Sequence, residues 1–393
     1  MIDFASPDYR RNPFPTYDRL RAAAPLLRDP ATGLWLLFDY AGVREALTDH
    51  ERFSSSLFTA GRSNPDWLIF LDPPRHPKLR GLISQAFTPR AVAELEPRIR
   101  QISRDLINSV IEKGSMDLVS EYATPLPMRV VAGMIGIPGD DWAQFRRWSD
   151  EILKLSYTLT DRSTGAAAVA AYAAVKAEMG PWLRALLDER IAHPQDDLLT
   201  RLMEAEVDGE RLNAQEIAGF LELLIVAGQE TTSNLIGNAM LCFAENPEAL
   251  ARVTASPQLL SPAIEEVLRL RSPVQWIFRV AARDVTLRGQ TISAGQLVIP
   301  MIGAANRDPQ VFAEPHRFDM ERAPNPQLAF GHGIHFCVGA ALARLEARIA
   351  LPDLFTRLRG FACSGDWEPR TAAHVYGPNR LEVQFAAGRR SAT

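Results

Sequence analysis

The chain has 393 residues, 47% of them hydrophobic and 23% charged, with 28 Pro, 24 Gly and 3 Cys. That composition excludes collagen-like, low-complexity and wholly disordered chains, and the length is ample for a large core. A formal net charge of −4 argues against general nucleic-acid binding, and three cysteines do not make a disulfide framework.

The chain opens Met1-Ile-Asp-Phe-Ala-Ser-Pro-Asp-Tyr-Arg-Arg11, with no apolar stretch behind a basic patch. Neither a signal peptide nor a membrane anchor is expected, and a soluble cytoplasmic protein is. Leu26 to Tyr40 reads as two short strands around the turn Asp29-Pro-Ala-Thr-Gly33. Helices are predicted over Pro77–Ala86, Arg90–Lys113, Pro125–Gly136, Asp140–Tyr157, Ala166–Ile191 and Asp196–Ala205. The polar segment Thr158–Gly165 reads as an exposed loop.

The clearest helix follows. Asn213-Ala-Gln-Glu216 is a capping-box start, and no proline appears until Pro247. A helix over Ala214–Glu245 would be about 48 Å long at 1.5 Å per residue. It is apolar on nearly all faces around Phe220–Leu235, so it belongs in the core. A further helix is predicted over Pro262–Leu270, then strands at Val285–Arg288 and Leu297–Pro300 with turns at Gly289 and Gly295. Ala304 to Leu328 is proline-rich and irregular. A last helix covers about Gly339–Leu358, through Pro352. No internal repeat or long linker divides the chain.

One segment carries distinctive chemistry: Phe330-Gly-His-Gly-Ile-His-Phe-Cys337-Val-Gly339, directly before the last helix. Its glycines let the backbone turn tightly and approach a flat group. The cysteine sits where the orphan N–H groups of a helix start stabilise a thiolate. Such a thiolate suits an axial ligand of heme iron. A lone cysteine usually packs as a small hydrophobe, and Cys242 and Cys363 are assigned that role.

The ten-residue pattern resembles the heme-binding loop of the cytochrome P450 family, Phe-x-x-Gly-x-His-x-Cys-x-Gly. Phe330, Gly333, His335, Cys337 and Gly339 match every fixed position. Other segments are similar to the family's remaining motifs. Glu266-Val-Leu-Arg269 fits its Glu-x-x-Arg helix, whose two side chains share one face. Arg317, in Pro-His-Arg-Phe, is the expected third member of that structural set. Ala227-Gly-Gln-Glu230-Thr231 fits the small-Gly-x-acid-Thr pattern of the central helix. There Ala227 and Gly228 would leave room for dioxygen, and Glu230 and Thr231 would pass protons. A structural alternative is a Thr that bonds back to its own helix. His76, Arg80, Arg279 and His335 occupy the family's propionate-binding positions, where an Arg fork suits a carboxylate.

The resemblance implies one domain over residues 1–393, mainly α with a smaller β region, in the cytochrome P450 fold. A β-rich part covers roughly 1–60, a helical core 74–272 and the Cys loop 330–339. It implies heme b with the Cys337 thiolate as axial ligand. The implied activity is monooxygenation, in which one atom of O₂ enters a hydrophobic substrate. Electrons would come from an external ferredoxin-type donor, docking on Lys78, Arg80 and Arg344, and the protein would be a monomer. A peroxygenase using hydrogen peroxide is the alternative, but such members lack the acid–Thr pair. By family position the substrate pocket is expected at Phe58–Phe70, Leu223, Val226, Ala227, Gln275, Trp276, Ile277, Val375 and Tyr376. Arg62 reads as a solvent-facing loop residue. The other histidines show no metal-ligand spacing.

Overall fold

A capping box starts the longest helix. Asn213 accepts hydrogen bonds from the N–H groups of Gln215 (2.9 Å) and Glu216 (3.0 Å), and the Glu216 carboxylate accepts one from the Asn213 N–H (3.0 Å). Orphan donors at the helix start are thereby answered. In the computed structural model, which describes residues 2–4, 6–56, 67–136, 142–153 and 165–391, this helix runs Ala214–Glu245, as predicted. Pro247 then opens the next helix, Pro247–Ala255, at a position where a missing N–H costs nothing.

The central helix is buried from Gly219 to Ile225 and again from Thr232 to Phe243. It packs against the helices Pro125–Ile135 and Ala340–Arg357. Ile236 and Met240 are fully buried. Each such side chain contributes about 1.5–3 kcal/mol, an upper estimate for a compact unfolded chain.

The largest sheet has five strands in the order Leu26–Arg28, Trp35–Leu37, Leu297–Pro300, Arg279–Ala281, Phe53–Ser54. The predicted hairpin forms, pairing Leu26 with Leu37 and Arg28 with Trp35. Trp35 then pairs in parallel with Val298, whose other neighbour is Arg279. Sheet pairing therefore fixes the backbone of Arg279 on one side, and Phe53–Ser54 pairs with the next two residues, Val280 and Ala281, on the other. The hairpin Val285–Leu287 and Gln290–Ile292 turns through Arg288 and Gly289, both at positive φ.

Several expectations are corrected. The first 60 residues are not chiefly β: helices Pro7–Arg11, Phe14–Ala23 and Tyr40–Thr48 carry more of their described length than the strands do. Ser6 and Asp39 cap two of them, accepting from the N–H groups of Tyr9 and Gly42. The helix predicted over Arg90–Lys113 is two, Pro89–Ala93 and Glu96–Val110. Pro97 explains the break, because it removes a donor and is tolerated only in a first turn. Of Asp140–Tyr157, the helix Trp142–Leu153 is described. Residues 158–164 of the expected loop lie outside the described residues, and Gly165 begins the helix Gly165–Ala192. Among the described residues no helix is long and apolar enough to cross a membrane.

Replacing the cap tests its weight. Asn213→Ala should lower the unfolding free energy by about 1 kcal/mol in chemical denaturation. An unchanged midpoint would mean that packing alone holds this helix start.

Candidate active site

The loop before the last helix is shaped by close approach. Gly333 has φ +70°, and a Cβ there would stand 2.9 Å from the Leu47 carbonyl oxygen and 3.0 Å from the Thr48 Cα. Only glycine lets the loop pass this backbone without displacing it. The Cys337 N–H donates to the Phe330 carbonyl (2.9 Å), closing the loop, and Ala340 starts the helix Ala340–Arg357 with Gly339 as its cap. Phe330 is covered by the Arg344 guanidinium, 4.4 Å from its ring centre.

Cys337 is accessible to solvent, whereas Cys242 is buried. Enclosure by surrounding protein still dominates its chemistry and raises the thiol pKa. Hydrogen bonds from the Gly339 and Ala340 N–H groups, and the charges of Arg80 and Arg344, act in the opposite direction. The sulfur thus faces donors that favour its anionic form.

His76, Arg80, Arg279 and His335 converge beside it. The rings of His76 and His335 stand 4.3 Å apart between centres. Both ring nitrogens of His76 and Nε2 of His335 are buried without a hydrogen-bond partner. Burial, with the charge of Arg80, lowers His76 to about 4. Burial, with the charges of Arg279 and Arg80 and the neighbouring His76, lowers His335 to about 3. Arg279 is 5% exposed, donates only to its own neighbour's carbonyl at Phe278 (2.8 Å), and is held down to about 10 by burial. Asp72 is the acid that acts on it, but that carboxylate already accepts from the Ser54 hydroxyl (2.5 Å) and the Ser55 N–H (3.0 Å).

A buried guanidinium without a dedicated anion costs several kcal/mol, and orphaned imidazole nitrogens add to that. The cluster therefore fits a ligand that brings carboxylates. A heme meets this requirement through its two propionates and meets the Cys337 thiol through its iron.

The central helix breaks its own burial at one place. Ala227 is exposed, and Val226, Gly228 and Thr231 are half-buried, between fully buried stretches. Gly228 does not open this face as expected: its missing Cβ would stand 3.0 Å from Val131 Cγ2, so it serves packing against the helix Pro125–Ile135. Ala227 is the residue that leaves space. The Thr231 hydroxyl donates to the Ala227 carbonyl (2.7 Å), so its hydrogen is engaged within the helix and its oxygen is left as an acceptor. Glu230 is 6% exposed. Burial raises its pKa, Arg370 opposes that, and Asp150 adds to it.

Glu266 and Arg269 pair face to face, Nε to Oε2 at 2.7 Å and Nη2 to Oε1 at 2.8 Å, both fully buried. The third member is Arg322, not Arg317. Arg322 Nε lies 3.2 Å from both Glu266 oxygens, while the Arg317 side chain is exposed and pairs with Glu314 (2.7 Å). Arg317 contributes only its carbonyl, which accepts from Arg269 (3.1 Å). Two arginines five residues apart in an irregular segment cannot be told apart by spacing; the path of the backbone decides.

The expected pocket residues divide. Phe70, Val226 and Ile277 are half-buried, and Leu223 and Val375 are buried. Three point elsewhere. Gln275 donates to the Ser272 carbonyl (2.7 Å), Trp276 packs on Phe4 and Phe278, and the Tyr376 hydroxyl donates to the Arg11 carbonyl (3.1 Å). Residues 58–66, with Arg62, lie outside the described residues. The proposed docking cations are partly engaged: Lys78 pairs with Glu210 (2.6 Å) and Arg344 with Glu265 (2.6 Å). Sequence reasoning missed Glu222 as a site feature. Its buried carboxylate accepts from the Trp67 indole (3.2 Å) and the Tyr172 hydroxyl (3.0 Å), one turn before Val226. An acid within an apolar helix face was the available signal.

Comparison with known proteins agrees with this geometry. The family model for cytochrome P450 matches residues 183–375. Cytochrome P450 109 of Bacillus spizizenii is 38% identical, over 98% of this chain and 95% of that protein. Vitamin D(3) 25-hydroxylase of Pseudonocardia autotrophica is also 38% identical, over 90% of this chain and 88% of its own. The crystal structure of CYP109E1 from Bacillus megaterium in complex with testosterone superposes with a TM-score of 0.87 at 37% identity, covering 95% of this chain and 99% of that one.

The ion-pair assignment is directly testable. Arg322→Met should lower the unfolding free energy by about 3 kcal/mol, because it strips a buried carboxylate of a partner. Arg317→Met should change it by no more than about 0.5 kcal/mol. Equal effects in urea denaturation would refute the assignment.

Proposed function

This chain belongs to the cytochrome P450 family, and on that premise we propose that Cys337 is the axial thiolate of a heme on which a hydrophobic organic molecule is oxygenated. The family's relatives are monooxygenases and hydroxylases, and the chain is an oxidoreductase of that kind. The observation that carries the finer reading is the group His76, Arg80, Arg279 and His335. Three ring nitrogens of His76 and His335 are buried without a partner, Arg279 is buried with only a carbonyl as acceptor, and the group stands beside a sulfur that accepts backbone N–H bonds.

Bound at this site, a heme supplies the activation of dioxygen and the delivery of one oxygen atom to an unactivated bond. The chain does the rest. The Gly339 and Ala340 N–H groups donate to the Cys337 sulfur and favour its thiolate form against the effect of burial. Arg80, Arg279, His76 and His335 hold the propionates. Ala227 keeps one face of the central helix free of bulk. Glu230, protonated more readily because it is buried, holds a proton, and the Thr231 oxygen accepts a hydrogen bond from whatever donor stands over Ala227. Retention of this pair favours oxygen-dependent chemistry over a peroxygenase reaction.

Phe70, Leu223, Val226 and Ile277 supply apolar wall, so the substrate is hydrophobic. The vitamin D(3) hydroxylase and the testosterone complex support a molecule of steroid size. In this reading a ferredoxin-type protein supplies the electrons.

Heme-loaded protein, reduced under carbon monoxide, should show the red-shifted band of thiolate-ligated heme, and Cys337→His should abolish that band while retaining heme. A band that survives the substitution, or is absent from folded, loaded protein, would sink the assignment. Glu230→Gln should slow turnover by roughly 10²-fold. Thr231→Ala should divert reducing equivalents to peroxide, read as product formed per reductant consumed; unchanged coupling would remove Thr231 from the mechanism.

A further inference from the structure

A second cavity, of about 500 Å³, shares none of the residues of the Cys337 site. It lies among the helices Pro7–Arg11 and Phe14–Ala23, the segment after Leu260–Leu270, and residues 367–376. Three guanidiniums line it, from Arg11, Arg271 and Arg307, with three aromatic rings, from Phe14, Trp367 and Tyr376.

The chain holds each guanidinium in place. Arg307 donates from Nε (3.0 Å) and Nη2 (2.6 Å) to the Leu270 carbonyl and lies 3.4 Å from the Phe14 ring centre. Arg11 donates from Nη1 to the Trp367 carbonyl (2.5 Å) and stands 5.0 Å from the Trp367 ring centre. Arg271 gives Nη2 to both oxygens of Glu245, at 2.6 Å each, while its Nη1 is buried with no partner. This arrangement is preorganised: fork and ring are fixed together before any ligand arrives.

Asp8 and Glu245 line the cavity and Asp366 stands 3.7 Å from Arg11, but among the described residues no carboxylate pairs with Arg307. Arg307 is 7% exposed, and its hydrogen bonds go to a carbonyl and to the His316 ring (3.1 Å). The C-terminal end of the helix Leu260–Leu270 answers about half an elementary charge of it. Burial, aided by the charges of Arg269 and Arg271, holds Arg307 down to about 9. A buried cation is normally matched by an anion.

The geometry points to a binding site for a small organic anion, a carboxylate or phosphate on an apolar or aromatic body. The anionic group would meet Arg271 Nη1 and Arg307, and the body would rest on Phe14, Trp367 and Tyr376. The cavity is also tied to the central helix: Asn238 Nδ2 donates to the carbonyls of both Arg271 and Tyr376, at 2.9 Å each. A ligand there would raise the melting temperature by mass action.

The test uses the heme-loaded full chain in a Tris–chloride buffer, titrated calorimetrically with benzoate and, separately, with inorganic phosphate. One saturable site is expected, with competition between the two probes if they share it. Tighter binding of benzoate assigns a carboxylate, and tighter binding of phosphate assigns a phosphate ester. Arg271→Gln should weaken binding about tenfold, the loss of one charge-assisted hydrogen bond. Arg11→Gln should weaken it too, and decides alone if the first variant fails to melt cooperatively. Arg100→Gln, on an exposed helix elsewhere, should leave binding unchanged. No saturable binding at millimolar anion, wild-type affinity in the Arg271 and Arg11 variants, or an equal loss in the Arg100 variant would overturn the site.

Discussion

A single carboxylate holds the part of the chain that has no regular structure of its own. Glu266 is fully buried and accepts from Arg269 twice, from Arg322, from the Asp319 N–H and from Asn325. Arg269 in turn donates to the carbonyls of Asn306, Pro315 and Arg317. Residues 306–328 lack a ladder of backbone hydrogen bonds, so these side-chain bonds replace it. Arg269 and Arg322 share this one carboxylate and donate their other hydrogens to carbonyls, and such full hydrogen bonding is what makes buried charges tolerable. Asn306 continues the chain of support by accepting the Leu328 N–H at 2.7 Å, two residues before Phe330. The cysteine loop is thus placed by an ion pair that touches no substrate.

The neighbouring cluster follows the opposite logic. Around Glu266 the carboxylate and both guanidiniums are fully hydrogen-bonded; around His335 and His76 three ring nitrogens are not. The difference separates a structural network from a ligand cradle. Strand pairing holds Arg279, a helix holds His76, and the glycine-shaped loop holds His335. Rigid elements hold the unmet donors apart, so they cannot satisfy one another by collapse. The arginine cavity repeats this pattern in part, with Arg271 Nη1 buried and unpartnered.

The central helix joins both regions. On one side it leaves Ala227 open, and through Asn238 it carries the floor of the second cavity. Three of its buried polar residues have side-chain partners: Gln229 with Ser149 (2.7 Å), Ser233 with Thr124 (3.0 Å), and Asn234 with Arg370 (2.8 Å). Such bonds fix the rotation of the helix about its axis, which apolar packing alone specifies loosely.

Local chemistry was legible along the chain. The capping box at Asn213, the hairpin turn before Gly33, the proline-rich segment after Ala304 and the loop around Cys337 depend on residues close in sequence, so pattern alone determined them. The pairing of Glu266 with Arg269 is likewise a matter of three positions on one helix. What depends on distant segments was decided only by the tertiary structure. Arg322 rather than Arg317 completes the ion pair because an irregular backbone, not spacing, brings it there. Gly228 serves Val131, and Tyr376 turns to Arg11 and Phe14, because packing partners over 90 residues away choose which face of a helix or loop looks inward. The short N-terminal helices, about three turns or less, gain stability from tertiary contacts rather than from propensity, so their sequence signal was weak. The sequence thus determined which chemistry the chain carries. The fold decided which side chains stand around it, because burial and charge balance exist only once distant segments meet.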